Sequence, residues 1–166
     1  MADILPLIQK RRSVRKFKSR TPSSLQLRKI LEAGRWAPSG LNNQPWRFLV
    51  IKEEKRREGL AAFTQYGRII KNAPILIVVC MDASVSYNRD KDLMAIGACI
   101  ENRLLEAASL KLGGCWLGEI TNQKKEAADF LKLDSDCELM SVVALGAPLE
   151  KKDSGTRRPL KDLILP

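Results

Sequence analysis

The sequence predicts an α+β fold in which helices sandwich a small sheet in three layers. Three observations predict it. Two short runs, PILIVVCM (74–81) and CELMSVVAL (137–145), are almost wholly apolar and carry the β-branched residues of buried strands. Between them, residues 90–110 place Leu93, Ile96, Gly97, Ile100, Leu104 and Ala107 at helical spacing. Strand-like and helix-like patterns interleave along all 166 residues with no linker, repeat or low-complexity block, so one domain spanning 1–166 is expected.

The elements follow in order. Asp3 can cap a short helix through Gln9, with Leu5 and Ile8 on one side. Thr21-Pro22-Ser23 reads as the start of a second helix, whose apolar positions Leu27, Ile30, Leu31 and Gly34 keep the period until Pro38. Phe48–Ile51 reads as a strand with Trp46 leading in, and Glu53–Phe63 as a helix whose acids suit its N-terminus. The strand 74–81 comes next, then the long helix from Asp90 to Leu110. Ala95, Gly97 and Ala98 make part of that helix thin, which favours close packing against another helix, and Gly113-Gly114 is expected to end it. Cys115–Leu117 reads as a short strand running into Gly118, Asn122 as the cap of a helix through Leu131, and 137–145 as the last strand. Parallel and antiparallel orders are not separated by these patterns.

Composition narrows the chemistry. Hydrophobic residues are 45% and charged residues 29%, a globular balance. The absence of histidine excludes His-based triads, HExxH zinc sites and histidine general bases. Cys80, Cys99, Cys115 and Cys137 show no CxxC spacing and sit in apolar stretches, so they read as buried small hydrophobes of a reducing compartment rather than as zinc ligands or, at Cys115, a nucleophile. There is no 18-residue apolar run, and MADILPLIQKRRS places its acid before the apolar patch and its bases after it, the wrong order for a secretory signal. A cytoplasmic location is expected.

The net charge of +10 is concentrated. Lys10–Arg20 (KRRSVRKFKSR) holds seven bases and no acid, and without it the chain has 22 bases against 19 acids. A solvated charge run is one reading. A fixed phosphate site is another, since alternation puts Arg11, Ser13 and Arg15 on one side of an extended chain, with Val14 on the other and Phe17 available as a core anchor. Nucleic acid is the rival anion, weakened by few aromatic residues and no RNA- or DNA-binding motif. The second unusual feature is the loop APSGLNNQP (37–45). It packs hydroxyl and amide groups between rigid prolines, a pattern suited either to a surface turn or to the donor and acceptor edges of a heterocycle.

RRSVRKF (11–17) followed by RWAPSGLNNQPWRFLVI (35–51), with GGCWLGEI (113–120) and RRPL (157–160) later, resembles the FMN-dependent nitroreductase family, in its shorter form. The resemblance covers nearly the whole chain. It implies a mainly antiparallel sheet flanked by helices and a homodimer with FMN at the subunit interface. It also implies a ping-pong oxidoreductase that takes electrons from NADH or NADPH and passes them to nitroaromatic, quinone or related electron-poor acceptors. Carried over residue by residue, it implies that Arg11 and Ser13 hold phosphate and ribityl oxygens beside Arg12, with Arg15 near the flavin's pyrimidine edge. Pro38, Ser39, Gly40 and Asn42 match the loop laid on the flavin of the other subunit, with Gln44 fixing it. Gly118 and Glu119 match the backbone pair near flavin N5, and Arg158, with Arg157 beside it, a C-terminal phosphate contact. No side chain is expected to act as a nucleophile or base, and no metal is expected. Other flavin reactions on the same scaffold (dehalogenation, enone reduction, flavin fragmentation) are the nearest alternatives. Around Gln65 and Tyr66 the chain departs from longer members, and it lacks the insertion that roofs their pocket.

Overall fold

A computed structural model describes residues 3–150 and 155–165. Met1 and Ala2 of the N-terminal stretch, and Lys151–Ser154 of the tail, lie outside the described residues. The sheet has four strands, β1 (Trp46–Ile51), β2 (Ile75–Asp82), β3 (Gly113–Leu117) and β4 (Cys137–Gly146), in the order β1-β2-β4-β3 with every neighbouring pair antiparallel. The helices are α1 (Leu5–Lys10), α2 (Ser24–Arg35), α3 (Glu54–Leu60), α4 (Gly67–Asn72), α5 (Arg89–Ser109) and α6 (Lys124–Leu131).

β2 is buried along its full length because both its faces are covered. Ile75, Ile77, Val79 and Met81 pack with Leu27 and Ile30 of α2 and with Ile96 and Ile100 of α5. The alternate residues Leu76, Val78 and Cys80 pack with Leu60 of α3, Ile69 and Ile70 of α4 and Leu131 of α6. The three layers expected from the sequence are thus α2 and α5, the sheet, and α3, α4 and α6.

Local chemistry fixes the ends. Ser23 and Gln26 form a reciprocal capping box at the start of α2. Asp3 accepts from the Leu5 amide at 3.0 Å, so it assists α1 from the position before the N-cap residue, Ile4. The long helix is not ended by Gly113-Gly114, which belong to β3. It ends at Lys111, which adopts the left-handed conformation (φ 59°) in a Schellman motif: Leu112 N–H reaches Ala107 O at 2.8 Å and Lys111 N–H reaches Ala108 O at 3.1 Å. Asn122 does not cap α6. It lies inside a 3-10 turn, Glu119–Gln123, and its side chain donates to Glu119 at 3.3 Å. The expected helix 53–63 is α3 continued by a 3-10 turn, and α4 was not foreseen. In the thin stretch of α5, Ala95 and Ala98 pack in the cluster that holds Leu27 and Ile30 of α2, as expected of close helix packing, while Gly97 lies by an indole, where a Cβ would be 3.8 Å from Trp116.

Candidate functional site

The backbone of the basic segment is fixed, although several of its side chains, Arg15, Lys16 and Lys18 among them, are exposed. Val14 N–H donates to Gly114 O at 3.0 Å, Lys18 N–H to Ala147 O at 2.9 Å, and Leu149 N–H to Lys16 O at 3.0 Å. These bonds tie 13–18 to the start of β3 and the end of β4. They are isolated bridges rather than a strand, so strict side-to-side alternation does not hold: Val14 and Phe17 both pack on the α3/α4/α6 side of the core.

The arginines of this segment differ in what they hold. Arg11 donates through Nε to Glu101 Oε1 of α5 at 3.1 Å. Arg12 turns back on its own turn, with Nη1 on the carbonyl oxygens of Gln9 (2.5 Å) and Arg11 (2.6 Å). Arg15 is exposed and near enough to Cys115 for its charge to act on that thiol. Arg11 and Arg12 line a cavity of about 920 Å³ together with Lys10 and Lys111, apolar groups such as Leu7 and Leu104, and the Gly113-Gly114 backbone. The tail returns to the same place: a Cβ on Gly155 would fall 2.8 Å from Arg12 Nε. Arg157 and Arg158 follow within three residues, both exposed, with Arg157 donating to Thr156 O. Arginine forks beside an apolar wall suit a phosphate-bearing organic ligand such as FMN.

The loop Pro38–Gln44 is rigid for a different reason. Leu41, Asn42 and Gln44 all have positive φ (54°, 53° and 49°), a conformation that non-glycine residues hold only when their surroundings impose it. Four hydrogen bonds impose it here. Gln44 N–H donates to Ser39 Oγ at 3.0 Å, and Gln44 Nε2 donates to Asn42 O at 3.3 Å. Asn43 donates to Val85 O at 3.1 Å and to Asp92 Oδ1 at 2.7 Å. Asp92 is fully buried at the start of α5; burial raises its pKa, but bonds from Ser86, Asn43 and backbone amides outweigh that and lower it, keeping it ionised. Tyr87 leans over Gly40, where a Cβ would meet its hydroxyl.

Gly118 opens the Glu119–Gln123 turn, and its carbonyl accepts from Thr121 N–H at 3.1 Å and Thr121 Oγ1 at 2.8 Å. The first amides of such a turn have no partner inside it, which leaves the Gly118–Glu119 backbone able to donate outward. The Glu119 carboxylate faces the other way. It accepts from the Thr64 hydroxyl and from Gln65 N–H (3.2 Å), so its side chain anchors the turn to the 64–65 segment.

The structure brings Arg11, Arg12 and the tail together, and it separates them from the loop. Pro38, Ser39 and Gly40 border α5 at Lys91, Met94, Ala95 and Ala98, whereas Arg11 meets α5 at Glu101 and lines its cavity with Leu104. Along the helix these loop contacts lie roughly 5–15 Å from Glu101. The cavity lined by Arg11 and Arg12 and the smaller one lined by Pro38, Ser39 and Gly40 share no residue. Leu41, Met94 and Trp36, 85%, 73% and 73% exposed, lie on the loop and its surroundings.

Other chemistry is narrowed. Burial pushes the Cys80 thiol up to about 12 and that of Cys99 up to about 11, and raises Cys115, so these sulfurs stay protonated. Among the described residues no cluster of His, Cys, Asp and Glu could hold a metal ion, and no helix is long and apolar enough to cross a membrane.

The profile of the nitroreductase family matches residues 8–65 and 58–147. A provisionally named NADH dehydrogenase/NAD(P)H nitroreductase of Archaeoglobus fulgidus is 35% identical over 156 residues, spanning 92% of this chain and 90% of its own. The crystal structure of a provisionally named nitroreductase from Desulfovibrio desulfuricans in complex with FMN superposes with a TM-score of 0.95 at 44% identity, covering 100% of this chain and 97% of that one. An iodotyrosine deiodinase of Thermotoga neapolitana is 30% identical over 122 residues, covering 58% of this chain and 66% of its own.

Proposed function

We propose, because the chain belongs to the nitroreductase family, that it is an FMN-dependent oxidoreductase driven by NADH or NADPH, built as one FMN-binding domain. The observation that carries this is the FMN-bound neighbour of 44% identity that spans the whole chain. Bound FMN supplies the two-electron chemistry between the nicotinamide and an electron-poor acceptor such as a nitroaromatic or a quinone. The chain supplies binding, orientation and charge. In this reading Arg11, Ser13 and Arg158 hold the phosphate end, with Arg157 beside them, and Arg12 locks the turn that presents Arg11. Arg15 places positive charge by the pyrimidine edge, and the Gly118 and Glu119 amides donate toward the ring.

The loop carrying Pro38, Ser39, Gly40, Asn42 and Gln44 then serves the site of a second copy. Two features support this. The loop borders α5 at Lys91–Ala98, roughly 5–15 Å along the axis from Glu101, where Arg11 is held, and it is surrounded by the exposed Leu41, Met94 and Trp36. Such a cluster of large apolar side chains fits a homodimer interface better than a solvent face. The proposed setting is the cytoplasm, with a small-molecule acceptor and no specific nucleic-acid partner.

The test is NADH and NADPH oxidation by purified protein, with FMN, against a nitroaromatic and a quinone. Saturable, FMN-dependent turnover of either acceptor supports the reading; none with any donor and acceptor pair contradicts it. The deiodinase similarity favours reductive dehalogenation as a second reading, which halide release from a halogenated phenol under the same conditions distinguishes.

A further inference from the structure

We infer that Glu101 is a positioning residue for the cofactor phosphate: it holds Arg11 by one edge so that the terminal fork of the guanidinium is presented to the ligand. The inference rests on the FMN-binding reading above and deepens it.

The geometry is specific. A guanidinium offers its donors in a fixed plane. Glu101 Oε1 takes the Nε–H of Arg11 at 3.1 Å, and among the described residues neither terminal nitrogen of Arg11 has a recorded partner. Arg12 is the contrast next door, with its Nη1 already bound to two carbonyl oxygens. Of the two adjacent arginines lining the 920 Å³ cavity, Arg11 keeps both terminal nitrogens for a ligand, whereas Arg12 has one terminal nitrogen occupied and, among the described residues, its buried Nε without a partner. Its side chain is 19% exposed and that of Glu101 40%, so the pair stands at the cavity margin, joining the basic segment to α5 across 90 residues of sequence. An arginine is flexible, and confining it beforehand removes an ordering cost that ligand binding would otherwise meet.

This assignment opposes simple charge counting. An acid near a phosphate site repels the ligand, so on electrostatics alone removing Glu101 should tighten FMN binding. Positioning predicts the reverse, and predicts that the effect passes through Arg11. The test measures dissociation constants of FMN and riboflavin by flavin fluorescence for wild type, Glu101→Ala, Arg11→Ala and the double variant, with thermal melts of each apoprotein to confirm folding. We expect Glu101→Ala, which removes the acceptor that a glutamine would keep, to weaken FMN about tenfold and riboflavin less than about twofold, because riboflavin lacks the phosphate, and to have no further effect once Arg11 is Ala. If Glu101→Ala binds FMN as well as or better than wild type while Arg11→Ala weakens it, positioning is wrong and the phosphate assignment of Arg11 stands. If Glu101→Ala weakens FMN equally in both backgrounds, Glu101 does not act through Arg11 and the inference also fails. If Arg11→Ala leaves FMN affinity unchanged, the phosphate assignment itself is overturned, and the inference with it.

Discussion

Replacing Arg103 by methionine should make the protein more stable, although it removes a charged side chain from the middle of the longest helix. Arg103 lies on the inner side of α5, fully buried, and among the described residues none of its three guanidinium nitrogens has a hydrogen-bond partner. Gly34 of α2 makes room for it, since a Cβ there would sit 2.2 Å from Arg103 Nε, and its guanidinium carbon stacks 3.4 Å from the centre of the Phe48 ring. Burial pulls its pKa well below the usual arginine range, to about 10, with the nearby Cys99 thiol acting the other way. The group stays charged at neutral pH, and that displacement corresponds to about 3 kcal/mol of unfavourable burial. Stacking on Phe48 returns roughly 1–2 kcal/mol. Methionine is unbranched and keeps most of the packing without the charge, as buried ionic groups replaced by apolar ones of similar volume often show. The net expectation is a gain of about 1–2 kcal/mol, or a rise in Tm of roughly 2–8 °C for a chain of this size. The gain is full below about pH 10 and shrinks as pH rises above that, where the folded arginine loses its proton before the unfolded one does. Thermal and urea melts at fixed protein concentration and fixed excess FMN measure it, since ligand and assembly both shift apparent stability. A loss of more than about 1 kcal/mol would refute the reasoning, because it would mean that the guanidinium makes polar contacts that outweigh its desolvation.

Three further predictions are independent of Arg103. Arg158→Ala should weaken FMN by about 1.5–3 kcal/mol and leave riboflavin nearly unchanged; equal losses measured for both ligands would remove Arg158 from the phosphate site. A heterodimer of one subunit carrying Arg11→Ala and Arg158→Ala with one carrying Ser39→Ala and Asn42→Ala contains one intact shared site. At saturating FMN it should recover up to about half the wild-type NAD(P)H oxidation rate, and no recovery in well-folded, isolated heterodimers would contradict the shared loop. Glu138, bridged by Arg89 (2.6 Å) and Lys124, has its pKa held down at about 2, with the Arg89 bond as the largest cause. Its stabilisation is present above about pH 4.5 and is lost as pH falls toward 2, so Glu138→Gln should lower Tm at pH 7 and converge with wild type in acid.

How much of this was legible in the sequence depended on how local each signal is. β2 was readable because a strand covered on both faces must be apolar at every position, and PILIVVCM is. The same property hid the strand order, since an apolar run carries no trace of whether its neighbours run parallel. α4 was invisible because six residues with two buried side chains, Ile69 and Ile70, cannot display a period. The end of α5 at Leu110 was readable to within a residue, but what stops it was not, because Lys111 rather than a glycine occupies the left-handed position. The site divided in the same way. The basic segment stood out through concentrated charge, and the loop through its amides and prolines. The residues that hold them in place did not stand out: Asp92 under the loop, Glu101 beside Arg11 and Thr64 against Glu119 are single polar residues whose partners lie 49, 90 and 55 positions away. Only the folded chain brings such pairs together.

The central claim, that this chain binds FMN and transfers electrons from a nicotinamide through it, is tested most directly by anaerobic titration of the purified protein reconstituted with FMN. The account predicts a protein-bound flavin spectrum with bands near about 370 and about 450 nm, bleached by stoichiometric NADH or NADPH and restored by adding a quinone or nitroaromatic. A protein that retains no FMN through gel filtration, or whose bound flavin keeps its roughly 450 nm band in excess NADH and NADPH, would contradict it.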